Sequence, residues 1–245
     1  MRKRTTGEVL VVLLSVSFLF ATAFAQSDPQ ATPQATSSQS QSSQNDQERV
    51  FGVIPQFSVT NQANLAPLTS GQKFHLFLRS AFDPFTFFSS GFQAGLSQAT
   101  DEFSGYGQGA AGYGKRYAAT FADQLSSGFF ANYFYASLFK QDPRYFRIGQ
   151  GTIKHRMFKA VEQEFVVRKD SGGRGFAWEN ICGAFTSGTL SNAYYPATDR
   201  GVGLTVSRSV IAILYGSAGG IFSEFAPDID QKLFHRKKNK DPKAP

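Results

Sequence analysis

The chain has 245 residues, a formal net charge of +7, 26 phenylalanines, 23 glycines and a single cysteine. One cysteine excludes an internal disulfide, so whatever folds must hold by packing. The charge excess is modest and gathers toward the C-terminus, which argues against a nucleic-acid-binding protein; a basic tail outside the cytoplasm suits an anionic surface better.

The start is positive at Arg2, Lys3 and Arg4, and an apolar run over residues 9–20 is interrupted only by Ser15 and Ser17. Ala23 and Ala25 then place small residues at the −3 and −1 positions of a cleavage site. This pattern predicts a secretory signal peptide over residues 1–25, cut between Ala25 and Gln26. A retained anchor helix is the alternative, but the run is short for a bilayer span. No cysteine follows it, so a lipoprotein is not expected, and the lack of twin arginines favours the general export route. Residues 26–48 hold no Phe, Ile, Leu, Val, Met, Trp or Tyr. Such a segment buries too little apolar area to offset its chain entropy and is expected to be a disordered Ser/Gln-rich linker.

A helical domain is predicted over residues 49–235. It begins with an extended arm in which Phe51, Val53, Phe57 and Val59 alternate, with Pro55 on the same side as an edge-strand signal. From Ser70 the period is helical: Phe74, Phe77, Leu78, Ala81 and Phe82 share one face. Asp83 and Pro84 form a cap and first turn for a second helix carrying Phe85, Phe88, Phe92 and Leu96, with Gly91 and Gly95 four apart.

The organising stretch is residues 104–147. Ala110, Gly114, Ala118 and Ala122 recur every four positions, flanked by Tyr113, Tyr117 and Phe121. They predict a helix with a shallow groove that admits another backbone closely. Packing must repay the helix cost of Gly114 and Gly128, or the helix breaks near Ser126, Ser127 and Gly128 and a second helix carries Phe129, Tyr133, Phe134 and Leu138; Asp142 and Pro143 are the stop. Three short patterns here resemble enzyme motifs and fail in context. Gly109 to Lys115 resembles a phosphate loop, but Arg116 stands where a magnesium-binding hydroxyl belongs and no buried strand precedes it. Gly107, Gly109 and Gly112 lack the strand and distant acid of a dinucleotide site. Ser137 and Lys140 lack the further motifs of a serine–lysine enzyme. No nucleotide, cofactor or metal is expected.

A more ordinary amphipathic helix is predicted over residues 152–167, with Ile153, Met157, Ala160, Val161 and Phe165 inside and Lys154, Lys159 and Glu162 outside. Residues 169–175 read as a loop. The helix from Trp178 to Tyr194 carries two small ridges, Gly183–Ser187–Ser191 and Ala184–Gly188, and Cys182 reads as a small buried apolar residue. The last long helix, from Leu204 to Phe225, places Gly216 four before Gly220 and is expected to end at Ala226 and Pro227. Residues 236–245 complete a basic tail; Lys232, Arg236, Lys237, Lys238 and Lys240 are the candidate contacts to an anionic surface.

The fold class read from these periods is mainly α: one domain of six or seven helices with small-xxx-small contacts, preceded by signal peptide, linker and arm. An outer-membrane β-barrel is the alternative for an exported chain rich in Gly, Tyr and Phe, although helical period dominates over strict alternation. No mature segment reaches about 18 consecutive apolar residues; the best window, residues 209–222, is bounded by Arg208 and Glu224.

Four phrases, Phe51-Gly-Val-Ile-Pro55, Gly112-Tyr-Gly-Lys-Arg-Tyr117, Asp142-Pro-Arg-Tyr-Phe-Arg147 and Ser191-Asn-Ala-Tyr-Tyr-Pro196, resemble those of an uncharacterised family of exported bacterial proteins. The resemblance covers most of the mature chain. It implies bacterial export and brings no catalytic residues with it.

His75, His155 and His235 stand at no metal-ligand spacing, and His75 and His155 read as surface residues. Acidic residues near turns are Asp142, Asp199 and Glu179. Arg144, Arg147 and Arg200 are the candidates for holding an anionic group; Asp142 or a helix C-terminus would equally satisfy the first two. The expected function is an exported, non-enzymatic helical protein associated with the envelope membrane, with partners or with itself. The alternative is an exported enzyme or carrier for an anionic amphiphile, which would need a Phe-lined pocket with converging arginines.

Overall fold

The structure is a computed structural model that describes residues 49–61 and 65–232. The Ala25–Gln26 cleavage pair, the linker and Arg236, Lys237, Lys238 and Lys240 lie outside the described residues. Six helices dominate: α1 (Ser70–Ala81), α2 (Pro84–Ala99), α3 (Gly109–Gly128), α4 (Ile153–Phe165), α5 (Trp178–Leu190) and α6 (Val202–Asp230). The strands among the described residues are two or three residues long: β1 (Arg49–Val50), β2 (Ile54–Pro55), β3 (Val59–Thr60), β4 (Tyr145–Phe146), β5 (Val166–Arg168) and β6 (Arg174–Phe176). They pair only two by two, so the β-barrel alternative fails and the fold is mainly α.

Local chemistry explains the helix starts. Thr69 and Gln72 form a reciprocal capping box on α1, and Asp83 accepts from Phe85 N at 2.9 Å with Pro84 in the first turn of α2. Thr152 caps α4 through His155 N. The arm docks as predicted: β3 pairs in parallel with β4, Val59 opposite Tyr145, and Arg49 reaches Asp83 at 2.5 Å. Residues 169–173 are the turn of a hairpin and 174–175 belong to its second strand, rather than a plain loop, with Val166 opposite Phe176.

The α1–α2 pair runs antiparallel to α3 and its continuation. Phe74 meets Tyr133, Phe77 meets Phe129, Phe87 stacks on Phe121, and Tyr113 donates to the Gly91 carbonyl at 3.1 Å. Of the two outcomes open at Gly128, packing repays the glycine and the helix does not break. The chain continues through a π-helical segment, Phe129–Tyr135, into a last turn, Ala136–Leu138. A π segment shifts the register of the following rings without ending the rod.

The two ridges of α5 behave as the spacing predicts. Gly183 meets the π segment, where an added Cβ would lie 2.8 Å from Ala131 Cα. Ser187 contacts Ser127 at 3.4 Å and Ser191 donates to Asp123 at 2.7 Å. On the other ridge, Gly188 faces the Thr205 carbonyl, and Ser209 donates to the Ala184 carbonyl at 3.1 Å. The small ridge on α3 behaves otherwise: Ala110, Gly114 and Ala118 are exposed, and the buried face is Gly112, Arg116, Ala119 and Thr120. That face wins because Arg116 donates inward to the carbonyls of Glu102 and Gly107, at 3.1 and 2.5 Å, which closes the 100–108 loop.

The same inversion governs α4. Ile153, Met157, Phe158 and Phe165 face outward, with Phe158 68% exposed, while Arg156 is 7% exposed. The interior assignment of Ile153, Met157 and Phe165 is therefore overturned; Ala160 alone of that group is fully buried. Across the described residues the fully buried large side chains are Arg116, Lys73, Gln141, Glu179 and Glu224, and most buried apolar residues are alanines. Finally, α6 runs through Pro227 to Asp230 rather than stopping there. Proline removes one donor and disturbs the preceding turn, and Arg147 and Arg156 both donate to the Glu224 carbonyl in that turn.

Two glycines separate close packing from open space. Gly183→Val is expected to cost about 2–3 kcal/mol, as overpacking against backbone does. Gly114→Ala, with nothing within 4 Å of an added Cβ, is expected to gain about 0.5–1 kcal/mol from helix propensity. Chemical denaturation of both variants checks the contrast, and equal effects would contradict this packing.

Candidate functional site

Charged side chains inside a helical bundle need partners, because an isolated buried charge is strongly unfavourable. Two internal networks meet that need here. In the first, Asp123 of α3 accepts from Ser191 Oγ at 2.7 Å and from the Tyr194 and Tyr195 hydroxyls at 2.6 Å each, and pairs with Arg208 of α6. Burial pushes the Tyr194 hydroxyl up to about 12 and the Tyr195 hydroxyl higher still, so both remain donors. A small cavity of about 280 Å³ opens beside this group.

In the second network Glu224, fully buried on α6, accepts from Tyr145 OH, Ile148 N and Gly149 N at 2.9 Å each and from Arg156 Nε at 2.6 Å. Asp228 pairs with Arg147 and, at 2.7 Å, with Arg156. These bonds tie the 142–150 loop and α4 onto the C-terminal half of α6.

Next to the second network lies the main cavity, about 850 Å³. Its walls are the 142–148 loop, α4, the β5–β6 hairpin, the start of α5 and the glycine face of α6. Those glycines make the room: an added Cβ at Gly216 would lie 2.3 Å from Glu164 Oε2, and one at Gly220 would lie 3.0 Å from the Ala160 carbonyl. The lining is mostly polar, with Phe146 its one phenylalanine among the described residues, and two of its carboxyl groups, Glu164 and Glu179, have no cationic partner at salt-bridge distance among the described residues. Glu179 is 1% exposed, and both of its carboxylate oxygens are buried without a hydrogen-bond donor. Its backbone N–H is donated to Gln141 Oε1 at 3.2 Å.

Burial pushes the Glu164 carboxyl up to about 8, with the nearby Glu179 adding to the rise. Burial likewise raises Glu179 to about 7, opposed by its own backbone N–H and Lys73 and reinforced by Asp142 and Asp170. Lys73, itself 1% exposed, donates to Asp170 at 2.7 Å and to the Ala136 carbonyl at 3.1 Å.

The three arginines singled out in the sequence do not converge. Arg144 lines the cavity but is held by Asp142 through bonds of 2.6–3.2 Å and by the Ala66 carbonyl. Arg147 is spent on Glu224 O and Asp228. Arg200 donates to the Tyr195 carbonyl at 2.8 Å, among residues outside the cavity wall. Lys232 is exposed just beyond the end of α6. His75 is exposed, and His155 is exposed where it borders the cavity. Sequence reasoning noted Glu179 only as an acid near a turn and passed over Glu164 and Glu224; the nearest clue was the Gly216–Gly220 spacing, which marks the room they occupy. No family model matches the chain, and neither the curated proteins nor the solved structures contain a match.

Both raised carboxyls bind protons more tightly in the folded chain than in the unfolded one. Their contribution to stability is therefore full below about pH 4.5 and is lost as pH rises through about 7 to 8. The thermal midpoint is expected to fall between about pH 5 and about pH 9, and Glu164→Gln is expected to flatten that fall and to be the more stable form at the alkaline end. A midpoint series in wild type and variant checks this; parallel curves would contradict it. Separately, Glu224→Ala leaves Tyr145 OH, Ile148 N and Gly149 N without their acceptor and Arg156 with Asp228 as its remaining carboxylate, and is expected to cost about 3–5 kcal/mol in denaturant unfolding.

Proposed function

We propose that this chain is an exported, non-enzymatic helical protein of a bacterial envelope that associates with a membrane through its apolar exterior. The observation that carries the reading is the inverted side-chain distribution, seen most plainly on α4: Phe158 outside and Arg156 inside. A water-exposed domain gains most of its stability by burying large apolar side chains. Here Phe82, Phe88, Leu138, Ile153, Phe158 and Val202 are 58–80% exposed. Exposed apolar surface on this scale marks a surface normally covered by lipid or protein.

The longest helix supports the same reading. Among the described residues α6 is the one helix long and apolar enough to cross a membrane by length and composition, and only 22% of its apolar window is buried. A helix at the core of a water-soluble bundle would be mostly buried. Val202, Val206, Val210 and Leu214 instead form an exposed stripe along it. Export rests on the signal-peptide pattern of residues 1–25 and on the family resemblance. The basic run beginning at Lys232 would add attraction to anionic headgroups, of about 1 kcal/mol per charge near the surface.

The reading is tested by flotation of the mature protein with anionic lipid vesicles, followed by salt and carbonate washes. The protein is expected to float, to resist salt and to need detergent for release. Replacing Phe158, Val202 and Val206 by serine is expected to lower the floated fraction severalfold while leaving the helical circular dichroism spectrum unchanged. A wild-type protein that stays monomeric in buffer and does not float would refute membrane association. A stable homo-oligomer in buffer would reassign the apolar exterior to self-association.

A further inference from the structure

We propose that the main cavity is a binding site for an organic ammonium cation, held between the carboxylates of Glu164 and Glu179. The volume, about 850 Å³, lies in the range of small-molecule sites. What singles out a cation is the charge pattern of the wall. Most of its cations are already engaged. Arg144 is paired with Asp142, and Lys159 and Arg174 are both paired with Glu162, at 2.5 and 3.3 Å. The Arg168 guanidinium lies over the Phe146 ring at 4.1 Å. Lys169 is exposed and lies along the hairpin, its Cε 2.4 Å from where a Cβ on Gly175 would stand. His155 is exposed.

The acids divide differently. Asp142 is held by Arg144, and Asp170 gives one oxygen to Lys73. Glu164 and Glu179 have no such partner, and the two buried oxygens of Glu179 and Oδ1 of Asp170 accept no hydrogen bond from the described chain. A buried acceptor left without a donor is an uncompensated cost that a ligand bearing N–H donors would remove. Behind the wall residue Asp170 the chain itself shows how an ammonium is held: Lys73 Nζ sits between Asp170 Oδ2 and the Ala136 carbonyl. A metal ion fits less well, since no group of three or more His, Cys, Asp or Glu among the described residues is placed to hold one.

Binding of a cation stabilises the charged carboxylates, so it releases protons from groups whose free values lie near 7 and 8. Affinity should rise with pH across that range. The charges acting on Glu179 are Lys73 from α1, and Asp142 and Asp170 from the loops packed against α5, and the charge acting on Glu164 is Glu179 itself.

The test uses the full mature chain, in detergent micelles where needed, titrated calorimetrically with putrescine and with methylammonium against sodium chloride of equal ionic strength. Saturable binding is expected at about pH 8 and should weaken roughly tenfold or more by about pH 6. Glu164→Gln and Glu179→Gln should each weaken it at least about tenfold, with an unchanged helical spectrum. Arg200→Ala, away from the cavity, should bind as wild type does. The proposal is overturned if neither amine saturates, or if both glutamine variants bind as wild type does. Loss of binding in the Arg200→Ala control would also overturn it, by showing that the response is not local to the cavity.

Discussion

The contact of Arg156 with Glu224 and Asp228 sets the terms for the rest of the molecule. A guanidinium and two carboxylates sit on helices that would otherwise pack through apolar faces, and each must be neutralised inside. Neutralising them brings in Tyr145, Ile148 N and Gly149 N from the 142–150 loop and draws Arg147 onto the same turn of α6. Once α4 has turned Arg156 inward, its apolar side has only the outside left to face. The exposure of Phe158 and Phe165 thus follows from helix geometry, since both stand on the face opposite Arg156 and opposite faces cannot both be interior.

The same exchange is repeated elsewhere in the bundle. Arg116 is buried to close a loop, Lys73 is buried to meet Asp170, and Asp123 gathers two tyrosines, a serine and an arginine. Between these polar posts the helices approach through glycine, alanine and serine, where backbones come close enough for Gly183 to touch Ala131. Dispersion and hydrogen bonding across small residues hold such helices without large buried side chains. Among the described phenylalanines Phe77 is buried and the others are half-buried or exposed, and rings pair with one another, as Phe129 does with Phe134.

The cavity arises where this scheme is interrupted. The hairpin between α4 and α5 separates two helices that both pack on α6, and the glycine face of α6 leaves the gap unfilled. Two carboxyl groups are stranded there, beyond the reach of the arginines that serve Glu224. Unlike Glu224, Asp228 and Asp123, they have no ion-pair partner among the described residues.

By itself the sequence determined which segments are helical and where they begin. Asp83 is a cap whose hydrogen bond is local, and the ridges of α5 are spacings on a single helix. Those features rest on neighbours within a few positions, so period and composition reveal them. The sequence also exposed the apolar period of α4, but not the direction in which it points. Which face turns inward depends on Glu224 and Asp228, more than sixty positions from Arg156 along the chain. Only the tertiary structure decides that pairing, because a helix of mixed character can bury either face and the choice belongs to the charge it must neutralise. For the same reason Glu164 and Glu179 become a pair only when α4 and α5 come to rest around the glycines of α6.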